Sequence, residues 1–266
     1  MPEARNRHRA MPTRSDPDVG HQAAGPPQSV AEPRADRNRL LRALPDEEFD
    51  LLLPHMERLE VPLLAVLNAP NTPFDHVFFP ETGVISIVNE LAGGDVVEAG
   101  TIGNEGMAGI SVVLEGEMVP STVTMQIPGE LVRVPAPVVA DLLQERPALR
   151  RLLHRYAHAF LIQVAQTAAC NRAHDITQRC ARWMLMTHDR MLGAEHFLLT
   201  QEVLSQMLGV RRAGVTVAAG ALQEAGLIRY RRGKVTVLDR DGLERASCEC
   251  YGIVRAHFDR LLGERQ

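Results

Sequence analysis

The sequence predicts an α+β fold in three parts: an N-terminal antiparallel β-roll of jelly-roll type, a long helix, and a C-terminal winged helix-turn-helix. Three observations support this prediction. Short β-prone segments recur about every ten residues between residues 61 and 135, as in antiparallel sandwiches and barrels. A helical apolar pattern follows over residues 148–169, and the stretch LSQMLGVRRAGVTVAAGAL spans residues 204–222. The predicted boundaries are 1–39, 40–147, 148–173, 174–245 and 246–266.

Length and composition limit the class of protein. The 266 residues suit one large or two ordinary domains, and a hydrophobic content of 45% is normal for a folded chain. The four cysteines are few and unevenly spread, which favours a reducing compartment over a disulfide framework. Residues 1–39 are rich in Pro, Arg, Asp and Ala and predict a disordered tail without a signal peptide. We therefore expect a cytoplasmic protein that does not enter membranes.

Charge is unevenly distributed along the chain. Residues 199–238 contain six basic and two acidic side chains, whereas residues 40–198 contain 11 basic and 20 acidic ones. An acidic body that carries one compact basic patch directs polyanions to that patch. The pattern predicts a localised nucleic-acid interface within residues 199–238.

The β-roll prediction depends on seven segments separated by Gly, Asn and Pro. A helical pattern over Leu40–Leu53 precedes them. The segments are VPLLAVL (61–67), HVFF (76–79), VISIVNEL (84–91), VVEAGTI (96–102), ISVVL (110–114), TVTMQI (122–127) and LVRVP (131–135).

The long helix carries an apolar stripe that has two possible partners. The stripe either packs on its own β-roll or pairs with a second copy of the chain as a dimerisation helix. Asp175 is a suitable N-cap for a second helix that ends near Leu192, and residues 170–175 form the predicted joint. The stripe consists of Leu149, Leu152, Leu153, Tyr156, Phe160 and Val164.

The helix-turn-helix prediction comes from the residue pattern that follows Thr200, the predicted N-cap. Counted from Gln201, the fifth residue is small (Ser205) and the ninth is glycine (Gly209), as close helix approach and a tight turn require. The apolar positions match the contact between the two helices, and they are Leu204, Leu208, Val210, Val215 and Ala218.

Several side chains are predicted to contact DNA. The start of the second helix enters the major groove in such motifs, where arginine can bind guanine and Thr or Val can meet a thymine methyl. The segment LIRYRRGKVTVLD (227–239) predicts a basic hairpin, a wing that contacts phosphates. The candidate DNA-binding residues are Thr200, Gln201, Arg211, Arg212, Thr216, Val217, Arg231, Arg232 and Lys234.

With these motifs the chain resembles the cyclic-AMP receptor protein/Fnr superfamily of bacterial transcription regulators over about residues 40–245. The resemblance implies a homodimer that binds a near-palindromic site in double-stranded DNA and that contacts RNA polymerase. Arg212 matches one base-reading position of the family, but Ala213 and Val217 replace two others, so we expect a different base preference.

The resemblance also locates an effector pocket, at Glu105 and Gly106 in GNEGMAG (103–109) and at Ser121 and Thr122 in MVPSTVT (118–124). Pro120 stands where cyclic-nucleotide binders place the arginine that pairs with the cyclic phosphate, so we expect no cyclic AMP recognition of that kind. The iron–sulfur members carry N-terminal cysteines, and this chain has none before Cys170, so no iron–sulfur cluster is expected.

Other chemistry finds little support in the sequence. Cys248 and Cys250, with His257 nearby, are interpreted as ordinary thiols, with a redox role as the remaining alternative. No metal site and no certain cofactor are predicted. No Walker loop, catalytic triad or dinucleotide fingerprint is present, so the chain is not predicted to be an enzyme. The alternative hypothesis is a β-roll regulator whose winged helix contacts protein instead of DNA.

Overall fold

The computed structural model describes residues 28–29 and 37–263 of the chain. The predicted tail, residues 1–39, therefore lies mostly outside the described residues. Its described part is ordered: Gln28–Ser29 pairs with the strand at residues 57–61, and the buried Asn38 caps the first helix.

The N-terminal part is a β-roll of two four-stranded antiparallel sheets, as predicted. The order is β1-β2-β8-β4 in one sheet and β3-β7-β5-β6 in the other. Apolar side chains of both sheets form the core between them. The strands are β1 (Gln28–Ser29), β2 (Glu57–Val61), β3 (Val66–Asn68), β4 (His76–Pro80), β5 (Val84–Glu90), β6 (Val96–Ile102), β7 (Thr122–Ile127) and β8 (Gly129–Pro135).

Helices flank the roll and continue into the C-terminal part. A short 3-10 helix (Leu53–His55) follows the second helix. The helices are α1 (Arg39–Arg42), α2 (Asp46–Leu52), α3 (Ile110–Val113), α4 (Ala136–Glu145), α5 (Pro147–Ala173), α6 (Ile176–His188), α7 (Gln201–Leu208), α8 (Arg212–Glu224), α9 (Arg240–Ala246) and α10 (Cys250–Leu262).

Two local predictions in the roll were wrong, and one helix was missed. The segment 110–114 forms helix α3 instead of a strand, because Gly109 turns the chain with a φ of 108° and a short apolar run suits either structure. The segment 61–67 is split by a turn at Leu64, which has a φ of 63°. Helix α4 was not predicted at all.

The apolar stripe of α5 packs inside its own chain. Leu149, Leu153 and Tyr156 are about 1% exposed and belong to the β-roll core, and Leu152 and Phe160 pack partly against it. The Tyr156 hydroxyl donates to the Met107 carbonyl at 2.8 Å. The prediction that Leu149, Leu153 and Tyr156 form the dimer contact is therefore corrected, because the roll already covers these three side chains. Val164 is half-buried.

The C-terminal part has its own core, which extends onto the roll. Three strands join it in the order β10-β11-β9, where β9 is Phe197–Leu198, β10 is Ile228–Arg231 and β11 is Lys234–Val237. Val84, Val88 and Ile127 of the roll contribute to this second core, so the two parts pack directly on each other. Helix α10 returns to the first core through Val254 and Phe258.

Candidate nucleic-acid interface

Helices α7 and α8 form the predicted helix-turn-helix. The Thr200 side chain accepts a hydrogen bond from the Val203 amide at 3.1 Å and so caps α7. Gly209 ends that helix in the left-handed conformation, with a φ of 59°. Four of the five residues predicted to form the contact between the two helices are buried, namely Leu204, Leu208, Val215 and Ala218. The fifth, Val210, is half-buried.

Two arginines lie at the exposed start of α8. Arg211 is its N-cap residue but makes no side-chain capping bond, and the side chain of Arg212 is 65% exposed. Arg212 lies 3.3 Å from the exposed carboxylate of Glu202. Positive charge at a helix N-terminus is unfavourable within the chain. The two guanidinium groups are therefore available to an external anion at this end of α8.

The remaining predicted contacts of the helix-turn-helix lie on the same exposed surface. Thr216 is one turn beyond Arg212, and its hydroxyl donates to the Arg212 carbonyl at 3.1 Å. Val217 is 69% exposed, which is unusual for an apolar residue in a helix that packs in a core. Gln201 is half-buried beside Thr216, and Thr200 is exposed.

The predicted wing is present as the hairpin β10–β11. Arg231 pairs with Lys234 across a two-residue turn, in which Arg232 and Gly233 have φ values of 51° and 72°. Such positive φ values at both turn positions give the twist that a tight hairpin needs. Arg231, Arg232 and Lys234 are all exposed at the tip of the wing. The structure therefore brings all nine predicted DNA-binding residues onto the helix-turn-helix and its wing.

Two of the four effector candidates, Glu105 and Gly106, lie in closely packed surroundings. Glu105 is buried, and its carboxylate pairs with Arg190, which follows α6, at 2.6 Å. Arg190 also donates to the Thr101 hydroxyl at 2.6 Å. A Cβ atom on Gly106 would lie 2.5 Å from the Tyr156 ring, so this position is closely packed.

The other two candidates lie at the start of β7. The Ser121 hydroxyl donates to the Asn89 side chain at 2.7 Å, and Thr122 is half-buried. An effector at Glu105 would have to displace Arg190, and the role of all four residues stays a prediction.

A second buried carboxylate, which no sequence pattern indicates, also lies between the roll and the C-terminal part. Glu98 of β6 accepts from the Ser86 hydroxyl at 2.8 Å and from the Trp183 indole nitrogen at 3.1 Å. Burial raises the pKa of Glu98 to about 7, although these two hydrogen bonds act in the opposite direction. Neither Glu98 nor Arg190 has a sequence signal, because Trp183 lies 85 residues from Glu98 and Glu105 lies 85 residues from Arg190.

Three cysteines are also brought together. The sequence predicts Cys248 and Cys250 to be ordinary thiols with His257 nearby. In the structure their neighbours are Cys170 and His174, whereas His257 is not part of the cluster.

Comparison with known proteins agrees with the geometry. Residues 178–246 match the Crp-like helix-turn-helix domain. No curated protein sequence matches the chain significantly.

Several solved structures share the fold. FixK2 from Bradyrhizobium japonicum is 14% identical, with a TM-score of 0.64 over 73% of this chain and 98% of that one. A Crp/Fnr-family transcriptional regulator from Thermus thermophilus is 19% identical, with a TM-score of 0.59 over 72% and 98%. The c-di-GMP-responsive global regulator CLP from Xanthomonas campestris is 19% identical, with a TM-score of 0.57 over 73% and 99%.

The chain thus combines a β-roll with a Crp-like helix-turn-helix domain whose exposed surface is basic. Its fold is that of Crp/Fnr-family transcriptional regulators of known structure, such as the Thermus thermophilus protein. The proteins from Thermus thermophilus and Xanthomonas campestris are a transcriptional regulator and a global regulator. None of the helices in the described part of the chain has the length and apolar character that crossing a membrane requires.

Proposed function

We propose that the protein is a cytoplasmic homodimer that binds near-palindromic DNA and couples its β-roll to the position of its winged helices. The observation that carries the proposal is the pair Arg211 and Arg212 at the exposed start of α8, beside the basic tip of the wing. Base contacts from α8 would give specificity, and phosphate contacts from the wing would give affinity. RNA polymerase is the further partner that the family resemblance implies.

The dimer contact is proposed on the face of α5 that the roll leaves uncovered. Leu161 is 65% exposed on this face, and two alanines follow it at helical spacing, where small side chains allow a second helix to approach closely. The exposed stripe repeats every three or four residues, as in a two-stranded coiled coil. It consists of Arg151, His154, His158, Leu161, Ala165, Ala168 and Arg172.

Leu161→Glu tests this interface. In a two-fold symmetric contact the two new carboxylates would face each other without a cation and would repel one another. We therefore expect the Leu161→Glu protein to be a monomer and the wild type to be a dimer. Leu114→Glu is the matched control, since Leu114 is also highly exposed (59%) but lies at the end of α3. Sedimentation velocity measures the mass of both variants. A Leu161→Glu protein that stays dimeric would exclude this face.

Paired alanine variants test the DNA contacts. Arg212→Ala is expected to cost about 1–3 kcal/mol on a preferred site and to reduce discrimination between sequences. Lys234→Ala is expected to weaken all sequences alike and to lower the salt slope of binding by about one. Equal loss of specific and general binding in Arg212→Ala would exclude Arg212 as a base contact. Weak salt dependence of the wild type would favour a protein partner instead.

A further inference from the structure

Three buried cysteines and one histidine converge at the end of the long helix. Cys170 lies in the last turn of α5, and His174 follows four residues later on the same side of the chain. Cys248 precedes α10, and Cys250 begins it. The four ligand atoms all lie within 4.8 Å of one another. Two segments more than 70 residues apart in sequence therefore supply one compact set of soft and borderline ligands.

The separations fit one tetrahedral metal ion. The Sγ atoms of Cys170 and Cys248 are 3.5 Å apart, and Cys250 Sγ lies 3.6 Å from His174 Nδ1. Zinc bonds of about 2.3 Å to sulfur and about 2.05 Å to nitrogen give tetrahedral edges of about 3.8 Å between sulfurs and about 3.6 Å between sulfur and nitrogen. A disulfide would require about 2.05 Å, so the thiols are separate. The compact set leaves room for a single ion and not for a multi-atom cluster.

The surroundings also suit a metal-bound histidine. His174 Nε2, the ring nitrogen that faces away from the cysteines, lies 3.2 Å from the Glu249 carboxylate. A carboxylate that accepts from the outer nitrogen of a histidine fixes the ring for metal binding through the other nitrogen. Gln166 donates a side-chain N–H to Cys250 Sγ at 3.1 Å, which stabilises a thiolate.

The charges of the neighbouring side chains also suit a metal–thiolate centre. Zinc with three thiolates and one neutral imidazole carries a net charge of −1, and the guanidinium groups of Arg179 and Arg182 interact electrostatically with Cys170. The Nε atoms of both arginines are buried and have no hydrogen-bond partner among the described residues. Arg182 is buried and Arg179 is half-buried, and each also donates to a neighbouring oxygen, the Thr167 hydroxyl and the Leu208 carbonyl respectively. An anionic zinc–thiolate centre would compensate the charge of these two cations.

We propose that Cys170, His174, Cys248 and Cys250 bind one zinc ion, which fastens α10 to the end of α5. Binding releases three thiol protons, because the thiolate is the ligand. Asp175, the N-cap of α6, directly follows the site. The ion therefore holds the joint from which the DNA-binding part begins, and the proposal adds a metal site to the proposed regulator.

Metal analysis of the purified full-length protein tests the site. We expect about one zinc per chain after purification in reducing buffer, or after addition of zinc followed by desalting. Cys170→Ser/Cys248→Ser and His174→Gln are expected to lose it. Cys180→Ala and His257→Gln are the matched controls and should retain it, since Cys180 lies in the other core and His257 outside the cluster. Glu249→Gln should weaken zinc binding about 10- to 100-fold without abolishing it.

Cobalt substitution gives a second readout that does not require DNA. The wild type and both controls should show the intense visible bands of tetrahedral Co²⁺ and sulfur-to-cobalt charge transfer, and both bands should disappear in the ligand variants. Circular dichroism establishes which variants are folded, and Glu249→Gln remains informative if the ligand variants are not. No stoichiometric zinc in the wild type, equal zinc in every variant, or iron in place of zinc would each overturn the proposal. None of these outcomes depends on DNA binding.

Discussion

Replacing Glu98 by glutamine should stabilise the protein at alkaline pH and remove part of its pH dependence. Glu98 is buried between β5, β6 and α6, where its carboxylate accepts from Ser86 and Trp183. Glutamine has the shape of the protonated acid and keeps an oxygen for the Trp183 indole N–H. The Ser86 hydroxyl can accept from the new amide and donate to the Met207 sulfur, which lies 3.6 Å away.

The magnitude follows from the pKa of Glu98, which burial raises from an ordinary value of 4.5 to about 7. Each pKa unit corresponds to about 1.4 kcal/mol, so ionisation of this group in the folded state costs about 3 kcal/mol. The folded state retains its proton between pH 4.5 and 7 while the unfolded state has lost it. Stability from this group is therefore fully present below about pH 4.5 and is lost as the pH rises to about 7.

Denaturant unfolding at several pH values between 5 and 8.5 measures the effect. The Glu98→Gln variant should gain stability over the wild type as the pH rises and reach a difference of about 3 kcal/mol above pH 7. Glu90→Gln is the matched control, because it replaces the same side chain at an exposed position of the same sheet. No gain in stability with rising pH is expected for this variant. A Glu98→Gln difference that is independent of pH, or a loss of stability at pH 8, would refute the burial argument.

Three further predictions concern packing between and within the parts. Arg190→Leu leaves the buried Glu105 carboxylate without its cation and should cost about 3–5 kcal/mol in denaturant unfolding, so a loss below 1 kcal/mol would contradict a strong ion pair. Gly106→Ala should cost about 1–3 kcal/mol, because its Cβ atom would lie 2.5 Å from the Tyr156 ring. Gly220→Ala in α8, with nothing within 4 Å of its Cβ position, should instead raise the melting temperature by stabilising the helix by up to about 1 kcal/mol.

The sequence predicted the features that depend on local backbone chemistry. Helix α7 begins after Thr200 and ends at Gly209, as predicted. An N-cap and a left-handed glycine determine the ends of a helix through contacts with residues only a few positions away. Arg232 and Gly233 likewise form the turn of the wing. Positions 201–218 carried enough spacing information to predict both helices and their contact.

Features that depend on contacts between residues far apart in the sequence could not be predicted from the sequence. The α5 stripe was compatible with two partners, and only the folded roll shows that Leu149, Leu153 and Tyr156 are covered within the chain. The pairing of Arg190 with Glu105 joins residues that have no common motif. The cysteine cluster was missed for the same reason, because Cys170 lies 78 residues from Cys248.

Selection of bound fragments from a random duplex library, with purified protein at two salt concentrations, tests the central claim most directly. A dimeric sequence reader predicts an enriched near-palindrome whose half-sites lie about one DNA turn, roughly 34 Å, apart. The enrichment should be lost in Arg212→Ala. An unenriched library, with only salt-sensitive general binding, would contradict sequence-specific recognition by α8.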